Sequence, residues 1–129
     1  MKISVVTAVR NGRPTLPAML ESLRCQTYEN YEHIVQDGAS TDGTKDYLLM
    51  NGLDAMSLQT LSDDGIYDGI NRGIARATGD IVGLLHADDE LAGPDVLAQI
   101  AEALQDRSVD GVYGDLQYVA HDDPTKVLR

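Results

Sequence analysis

Two adjacent carboxylates, Asp88 and Asp89, follow directly on an apolar run at residues 81–85 that has the length of a β-strand. Burying an unpaired charge is costly, so acids at the end of a buried strand indicate that something binds and neutralises them. Carboxylate oxygens suit Mg²⁺ or Mn²⁺, which usually keeps water molecules or substrate phosphates in its coordination shell. The pair therefore predicts a divalent metal site that holds a phosphate-bearing ligand.

Polar residues also follow the other strands that the sequence predicts. Runs at residues 2–9, 32–36 and 56–61 predict three strands. The polar residues at their ends are Arg10 and Asn11, then Asp37, then Asp63 and Asp64. In parallel α/β sheets, ligands bind in the crevice outside the carboxyl ends of the strands. The spacing therefore predicts one acidic site at that edge.

Helical patterns alternate with these strands. Apolar spacing and capping signals predict helices at residues 14–27, 44–50 and 66–77 and from residue 93 onward. Thr41 or Asp42 is the expected N-cap of the second helix. Two further strands are expected at residues 109–113 and 116–119. Strands that alternate with helices imply right-handed crossovers, so the predicted fold class is α/β, a three-layer α/β/α sandwich with a mainly parallel sheet.

The length and charge of the chain limit its class. Its 129 residues indicate one domain, and its formal net charge is −11. Nucleic acids and anionic membranes attract basic surfaces, so this charge argues against both as partners. The single cysteine, Cys25, excludes an intrachain disulfide, and no stretch of sequence has the length of a membrane span. We therefore expect a cytoplasmic protein, with peripheral attachment to a membrane left open for a longer form.

Common phosphate-binding loops are absent from the sequence. The first predicted strand is followed by RNGRP at residues 10–14, which lacks the glycine spacing of dinucleotide-binding folds. No P-loop lysine pattern occurs either. A bound phosphate therefore has to be neutralised by a metal ion on carboxylates, and Asp88 and Asp89 are the obvious residues to hold it.

Four motifs occur in the order in which family 2 glycosyltransferases carry them. They are VVTAVRNG at residues 5–12, DGASTDGT at 37–44, GIYDGINRGI at 65–74 and ATGDIVGLLHADD at 77–89. Each motif alone is weak, but four of them in order at natural spacing make a strong case. Over nearly all of residues 1–120, the chain resembles the GT-A nucleotide-sugar domain of this family, which is Rossmann-like, and especially its bacterial polysaccharide-type members.

The resemblance implies transfer of a sugar from a nucleotide-diphosphate sugar, with a UDP-sugar favoured, to a hydroxyl group. The acceptor would be a saccharide or a lipid-linked molecule, and the transfer would usually proceed with inversion. Asp88 and Asp89 match the catalytic DXD-type pair of the family, with Asp88 towards the ribose and Asp89 on a Mn²⁺ or Mg²⁺ ion. Such an ion stabilises the charge that develops on the leaving diphosphate.

The resemblance also implies which residues contact the donor. Thr7, after which the first strand would open into its loop, matches a position beside the nucleotide base, and Asn11 lies nearby. Asp37 matches an acid that hydrogen-bonds the base. Asp68 and Asn71 match a helical turn that faces the donor.

The sequence departs from the family pattern at three positions. Gln36 precedes Asp37 where the family often has a second acid, Asp64 stands where a cation is frequent, and His86 stands where asparagine is common. The family's acceptor-binding half supplies the general base, and no residue of this chain can be assigned to that role. We therefore expect residues 1–129 to be a single donor-binding domain that stops before the acceptor-binding half.

Each site residue also has a structural alternative. Asp88 and Asp89 could form a solvated turn before a helix, and Asp37 could belong to a capping turn; ligand binding is the favoured interpretation for all of these. For Asp68 and Asn71, a solvent-facing side of a helix is supported about equally.

The histidines are expected to be structural. For His86, a strand-end histidine held by its neighbours is favoured over a third metal ligand. His33 and His121 are expected at the surface.

Two other functions stay open. One is a non-catalytic nucleotide-sugar-binding or assembly module that lacks the general base. The other, which is weaker, is a nucleotidyltransferase, since RNGR at residues 10–13 is a poor version of the Gly-rich basic loop expected there. If the chain is a fragment, apolar surface exposed by the absent half would favour a homodimer.

Overall fold

The structure is a computed structural model that describes residues 1–120 and 123–127. The expectation for His121 lies outside the described residues. In chain order, the elements are β1 (Ile3–Val9), α1 (Leu16–Arg24), β2 (Tyr31–Asp37), α2 (Thr44–Met50), β3 (Leu58–Thr60), α3 (Ile66–Arg76), β4 (Ile81–Leu84), α4 (Val96–Ala103), β5 (Val119–Ala120) and β6 (Asp123–Val127). Among the described residues, no helix combines the length and the apolar character that a membrane crossing requires.

The strands β1 to β4 form one parallel sheet in the order β3-β2-β1-β4, and β5 and β6 form an antiparallel pair. β1 pairs with β2 along its whole length, from Ile3 opposite Tyr31 to Val9 opposite Asp37. Every residue of β1 is buried, because the strand has a neighbour on each side and helices on both faces. The carboxyl end of β1 therefore lies in the middle of the edge at which the site is expected.

Helices cover both faces of the sheet, which confirms the three-layer α/β/α sandwich. Alternate side chains of a strand point to opposite faces, so one set of strand residues packs against α1, α2 and α4, while α3 packs on the other face of β1 and β2. The core on the first face is aliphatic and consists mainly of Ile3, Val5, Val9, Val35, Leu16, Met19, Leu20, Leu23, Leu48, Leu97 and Ala101.

Two glycines allow α3 to pack closely on β1. A Cβ atom at Gly73 would lie 2.5 Å from Cγ1 of Val6, and one at Gly69 would lie 3.1 Å from Cβ of Ala8. A side chain at position 73 would therefore push the helix away from the sheet. Because Gly69 is nearer the start of the helix and Ala8 is nearer the end of β1, the N-terminus of α3 lies at the carboxyl edge of the sheet.

The opposite edge of the sheet is held by hydrogen bonds to Glu32. Its Oε1 accepts from Ser4 Oγ at 2.6 Å and from Thr78 N at 2.8 Å, and its Oε2 lies 3.3 Å from Nζ of Lys2. Partial burial raises the pKa of Glu32, but the hydrogen bonds from these three residues outweigh burial and lower the pKa to about 2. This network joins β1, β2 and the segment before β4.

The two strands expected at residues 109–113 and 116–119 do not form as predicted. Residues 109–118 hold no regular element, and a strand begins only at Val119. Strands need partners for their backbone groups, and no strand of the described part of the chain pairs with this stretch. Nearly all of its side chains, including Tyr113 and Leu116, are exposed.

The expected N-cap of α2 is also wrong. The N-cap is Gly43, with φ of 89°, instead of Thr41 or Asp42. Glycine adopts this left-handed conformation without strain. The Asp42 carboxylate accepts hydrogen bonds from N and Oγ1 of Thr44, so it stabilises the turn that leads into the helix.

The strand β4 is only half-buried, although its apolar sequence predicts burial. It is an outer strand of the sheet, and its Val82 and Leu84 are 44% and 53% exposed. These residues pair with Ser4 and Val6, so they lie on the face that carries α3. α3 packs mainly on β1 and β2, which leaves this part of β4 uncovered.

Candidate functional site

The loops that follow β1 and β2 are tied together at the carboxyl edge of the sheet. Backbone N–H groups of the first loop donate to side chains of the second. The donors and acceptors are Asn11 N to Ser40 Oγ at 2.8 Å, Gly12 N to Thr44 Oγ1 at 3.2 Å, and Arg13 N to Asp42 Oδ2 at 3.0 Å. These bonds fix the position of each loop relative to the other.

The loops after β4 and β3 join the same edge. The Thr15 hydroxyl donates to Ala87 O at 2.7 Å, and Ala87 directly precedes Asp88, so the acidic pair lies beside the loop after β1. The loop after β3 reaches the edge through Asp63, whose Oδ2 lies 2.8 Å from the position that a Cβ atom on Gly38 would take. Loops from all four parallel strands therefore meet at one edge, as the spacing of the sequence predicts.

Asp37 ends β2 with a carboxylate that has no exposed area. Its Oδ1 accepts hydrogen bonds from the backbone N of Ser40, at 3.3 Å, and from the Ser40 hydroxyl. Its Oδ2 is buried and has no hydrogen-bond partner among the described residues. Leaving a buried polar atom unpaired costs about 1–3 kcal/mol, so an atom of this kind calls for an explanation. A ligand N–H or O–H group at this oxygen would provide one.

The side chain of Asn11 is used within the loops. Its Oδ1 accepts a hydrogen bond from Thr41 N at 2.8 Å, and its backbone N donates to the Ser40 hydroxyl. Its φ of 54° is left-handed, a conformation that asparagine tolerates better than most residues do. Asn11, expected beside the base, therefore holds the loop after β2 in place.

Thr7 lies inside the sheet, and the expectation that the first strand opens into its loop after Thr7 is wrong. β1 continues to Val9, and the Thr7 side chain has no exposed area. Its Oγ1 lies 2.9 Å from Nε2 of His33 on β2, because the two side chains share the face that α1 and α2 cover. The Thr7 side chain is therefore not available at the crevice.

His33 shares this face of the sheet, so the expectation that it lies at the surface is met only in part. The alternation of β2 turns His33 towards the helices that cover that face, where it is half-buried beside Leu23 and Arg24. Burial, together with the nearby Arg24 cation, lowers the pKa of His33 to about 4. This histidine is therefore neutral at pH 7 and is held between β2 and the helices that cover it.

The first turns of α3 reach the same edge. Asp68 is engaged there, since its Oδ2 accepts from Asp64 N at 2.9 Å and pairs with Arg72 at 3.1 Å. Arg72 also donates to Ser62 O at 2.9 Å. The Asn71 side chain is exposed and has no hydrogen bond to the part of the chain that the structure describes. Of the two residues expected to face the donor, Asn71 is the one whose side chain is not already engaged.

Asp88 and Asp89 lie on an exposed turn after β4, in which Asp89 N donates to His86 O at 3.1 Å. Within residues 1–120, neither carboxylate has a hydrogen-bond partner, and no three His, Cys, Asp or Glu side chains are grouped to hold a metal ion. Mg²⁺ and Mn²⁺ bind through one or two carboxylates together with substrate phosphates and water. The exposed pair therefore fits an ion of this kind that a phosphate ligand helps to coordinate.

Two residues at the edge make contacts that the sequence did not predict. Asp63 accepts a hydrogen bond from Gly65 N at 3.0 Å and lies against Gly38 and Gly69. Ser40 bonds the Asp37 carboxylate. An acid two residues before a glycine is a typical Asx turn, so the loop conformation at Asp63 could have been recognised, but its contact with Gly38 depends on the tertiary fold.

Comparison with known proteins assigns the family. The sequence model described as "Glycosyl transferase family 2" matches residues 4–129, nearly the whole chain. The chain belongs to this family. The resemblance carried by the four sequence motifs is therefore confirmed.

Related sequences of this glycosyltransferase family are longer than the chain. An uncharacterized glycosyltransferase of Mycobacterium tuberculosis is 42% identical over 103 residues, which cover 79% of this chain and 39% of the relative. A "PGL/p-HBAD biosynthesis glycosyltransferase" of Mycobacterium bovis is 36% identical over 117 residues, which cover 88% of this chain and 46% of the relative. The chain thus spans less than half the length of these relatives.

Solved glycosyltransferase structures share the fold. Staphylococcus aureus TarS 1–349 in complex with UDP-GlcNAc has a TM-score of 0.73 at 22% identity, over 91% of this chain and 38% of that one. The mannosyltransferase PcManGT from Pyrobaculum calidifontis, in complex with GDP-Man and Mn²⁺, has a TM-score of 0.74 at 27% identity, over 84% of this chain and 33% of that one. The fold of this family 2 domain is therefore GT-A.

Proposed function

We propose that this domain binds the nucleotide-diphosphate sugar donor of an inverting glycosyltransferase. The observation that carries the proposal is the buried Oδ2 of Asp37, which has no partner in the described chain and lies at the edge where the four loops meet. An N–H group of the nucleotide base would supply the missing hydrogen bond. Membership of glycosyltransferase family 2 supports the reaction class.

The diphosphate of the donor is proposed to lie at Asp88 and Asp89. Asp89 would bind Mn²⁺ or Mg²⁺, and Asp88 would bind the ribose. When bound, the ion supplies positive charge that stabilises the leaving diphosphate. The chain's own contribution is to present two exposed carboxylates on a turn that the Thr15–Ala87 hydrogen bond ties to the loop after β1. The Mn²⁺ bound with GDP-Man in PcManGT supports this assignment.

A UDP-sugar is the favoured donor, and a GDP-sugar is the competing one. The compared structures contain one of each, UDP-GlcNAc in TarS and GDP-Man in PcManGT. Uracil and guanine both carry a ring N–H group that could donate a hydrogen bond to Asp37. The acceptor is proposed to be a hydroxyl group of a saccharide or a lipid-linked molecule, in line with the name of the PGL/p-HBAD relatives.

No residue of this domain is proposed as the general base. In the longer relatives, acceptor binding and the base would belong to the polypeptide outside the matched part. We place the enzyme in the cytoplasm, with peripheral membrane attachment suited to a lipid-linked acceptor. The uncovered face of β4, with Val82 and Leu84, is where two copies would associate in a homodimer.

Isothermal titration of the chain with UDP and with GDP, each in Mn²⁺ and in EDTA, tests the donor proposal. We expect one of the two nucleotides to bind at least about tenfold more tightly in Mn²⁺ than in EDTA. Asp89→Ala should lose this dependence on metal, whereas Glu90→Ala, an adjacent exposed acid, should keep it. Absence of binding by both nucleotides would refute the proposal, and equal affinities with and without Mn²⁺ would refute the metal assignment.

A further inference from the structure

A chain of hydrogen bonds leads from the loop after β1 to one oxygen of Asp37. The backbone N of Asn11 donates to the Ser40 hydroxyl oxygen at 2.8 Å, and the Ser40 hydroxyl donates to Asp37 Oδ1. The backbone N of Ser40 donates to the same oxygen at 3.3 Å. The Ser40 hydroxyl thus accepts a hydrogen bond from the loop after β1 and donates one to Asp37 at the end of β2. Its proton is therefore directed at Asp37.

This arrangement treats the two carboxylate oxygens differently. Oδ1 receives two hydrogen bonds from Ser40, whereas Oδ2 receives none from the described residues. A carboxylate can rotate about its terminal bond, which is broad and nearly two-fold. The hydrogen bonds of Ser40 remove that freedom, so the unpaired oxygen is held in one direction.

We propose that Ser40 is a positioning residue for the donor nucleotide. Its hydroxyl holds Oδ1 of Asp37 so that Oδ2 stays fixed and unpaired for an N–H group of the base. This inference rests on the proposed function, because it assigns the base to Asp37. Ser40 itself does not contact the nucleotide, and it acts through the orientation of the acid.

The experiment measures the affinities of UDP, GDP and inorganic diphosphate in Mn²⁺ for the wild-type chain and for Ser40→Ala. We expect Ser40→Ala to weaken binding of the preferred nucleotide about tenfold, the usual effect of losing one hydrogen bond to a charged group. Binding of inorganic diphosphate should be unchanged, because it has no base. Ser40→Thr keeps the hydroxyl and should restore most of the nucleotide affinity.

A matched control exists elsewhere on the surface. Ser108 donates through its hydroxyl, at 2.7 Å, and through its backbone N, at 2.9 Å, to Oδ1 of Asp106, so the same two groups bond an exposed acid two residues earlier in the chain. Ser108→Ala should therefore leave the affinities for both nucleotides unchanged. A loss equal to that of Ser40→Ala would show that the effect is not specific to the site, and would overturn the inference.

A double-mutant cycle tests whether Ser40 acts through Asp37. We expect Asp37→Asn combined with Ser40→Ala to bind no more weakly than Asp37→Asn alone, because residues that act through one contact are not additive. Additive losses, an unchanged nucleotide affinity in Ser40→Ala, or an equal loss of inorganic diphosphate affinity would each overturn the inference. Absence of nucleotide binding by the wild-type chain would overturn the proposed function, and this inference with it.

Discussion

At the scale of single residues, Asp37 shows a conflict between stability and ligand binding. Its carboxylate has no exposed area, and one of its oxygens has no hydrogen-bond partner in the described chain. Such a group lowers the stability of the free protein. Proteins retain unfavourable groups of this kind mainly at functional sites, where a stability–activity trade-off is common.

Asp37→Asn tests this conflict. The amide can keep an oxygen acceptor towards Ser40 and removes the buried charge, so we expect the free energy of unfolding in urea to stay within about 1 kcal/mol of the wild type. The affinity for the preferred nucleotide should fall at least about tenfold, because the free acceptor is gone. A fall in stability of several kcal/mol would contradict this explanation and would make Asp37 a structural residue.

The sequence predicts some site residues better than others. Asp37 could be placed at the edge because an acid followed by glycine ends an apolar strand. Thr7 and His33 could not be placed, because their contact depends on the register of β1 against β2 and on which face the helices cover. The role of Ser40 depends on the approach of the loop that holds Asn11, which a single sequence does not contain.

At the scale of elements, the packing of α3 against β1 fixes one side of the crevice at the carboxyl edge of the sheet. The contact is close because Gly73 has no side chain facing Val6, and the same helix carries Asp68 and Asn71 to the edge. A displacement of this helix would therefore move the residues that are expected to face the donor.

Gly73→Ala tests the packing of α3. The new methyl group would lie 2.5 Å from Cγ1 of Val6, so the helix has to shift. Overpacking costs about 1–3 kcal/mol, and the better helix propensity of alanine returns up to about 1 kcal/mol. We expect a net loss of about 1–2 kcal/mol in urea unfolding. Gly83→Ala on β4, where a Cβ atom meets nothing within 4 Å, should change stability by less than about 0.5 kcal/mol.

Element boundaries follow the sequence closely where local signals agree with tertiary contacts. The predicted helix at residues 44–50 is the observed α2, and strands β1, β2 and β4 lie within about a residue of their predicted bounds. Residues 109–118 have the composition of strands, yet they lack a partner strand in the described chain, so composition alone misleads there. The exposure of Val82 and Leu84 likewise depends on strand order, which a single sequence does not specify.

At the scale of the whole molecule, the half-buried His33 couples stability to pH. Its pKa is lowered from 6.5 to about 4, so the unfolded chain binds a proton over a range of pH in which the folded chain does not. The contribution of neutral His33 to the free energy of unfolding is therefore fully present above pH 6.5, and it is lost as the pH falls towards 4.

Urea unfolding at several pH values checks this coupling. We expect the free energy of unfolding to fall by about 2–3 kcal/mol across that window because of His33 alone. His33→Gln, whose amide can bond Thr7, should remove this part of the pH dependence. A slope that persists unchanged in the variant would assign the effect to other groups.

Glu32 should affect the free energy of unfolding over a lower range of pH. Its pKa is lowered from 4.5 to about 2, so the stability it contributes is complete above pH 4.5 and is lost as the pH falls towards 2. Glu32→Gln should flatten the pH dependence of unfolding in this window and leave the window of His33 as it was. Equal changes in both windows would show that the network at the amino edge also controls His33.

The complete burial of Asp37 also limits how fast a nucleotide can engage it. An oxygen without accessible surface is reached only after the atoms that cover it move, so opening precedes capture. In stopped-flow experiments, the observed association rate should level off at high nucleotide concentration, at the rate of opening. Ala39 has a φ of 60°, which strains the closed loop. Ala39→Gly relieves that strain, so a lower plateau rate in this variant would show that the loop after β2 takes part in the opening.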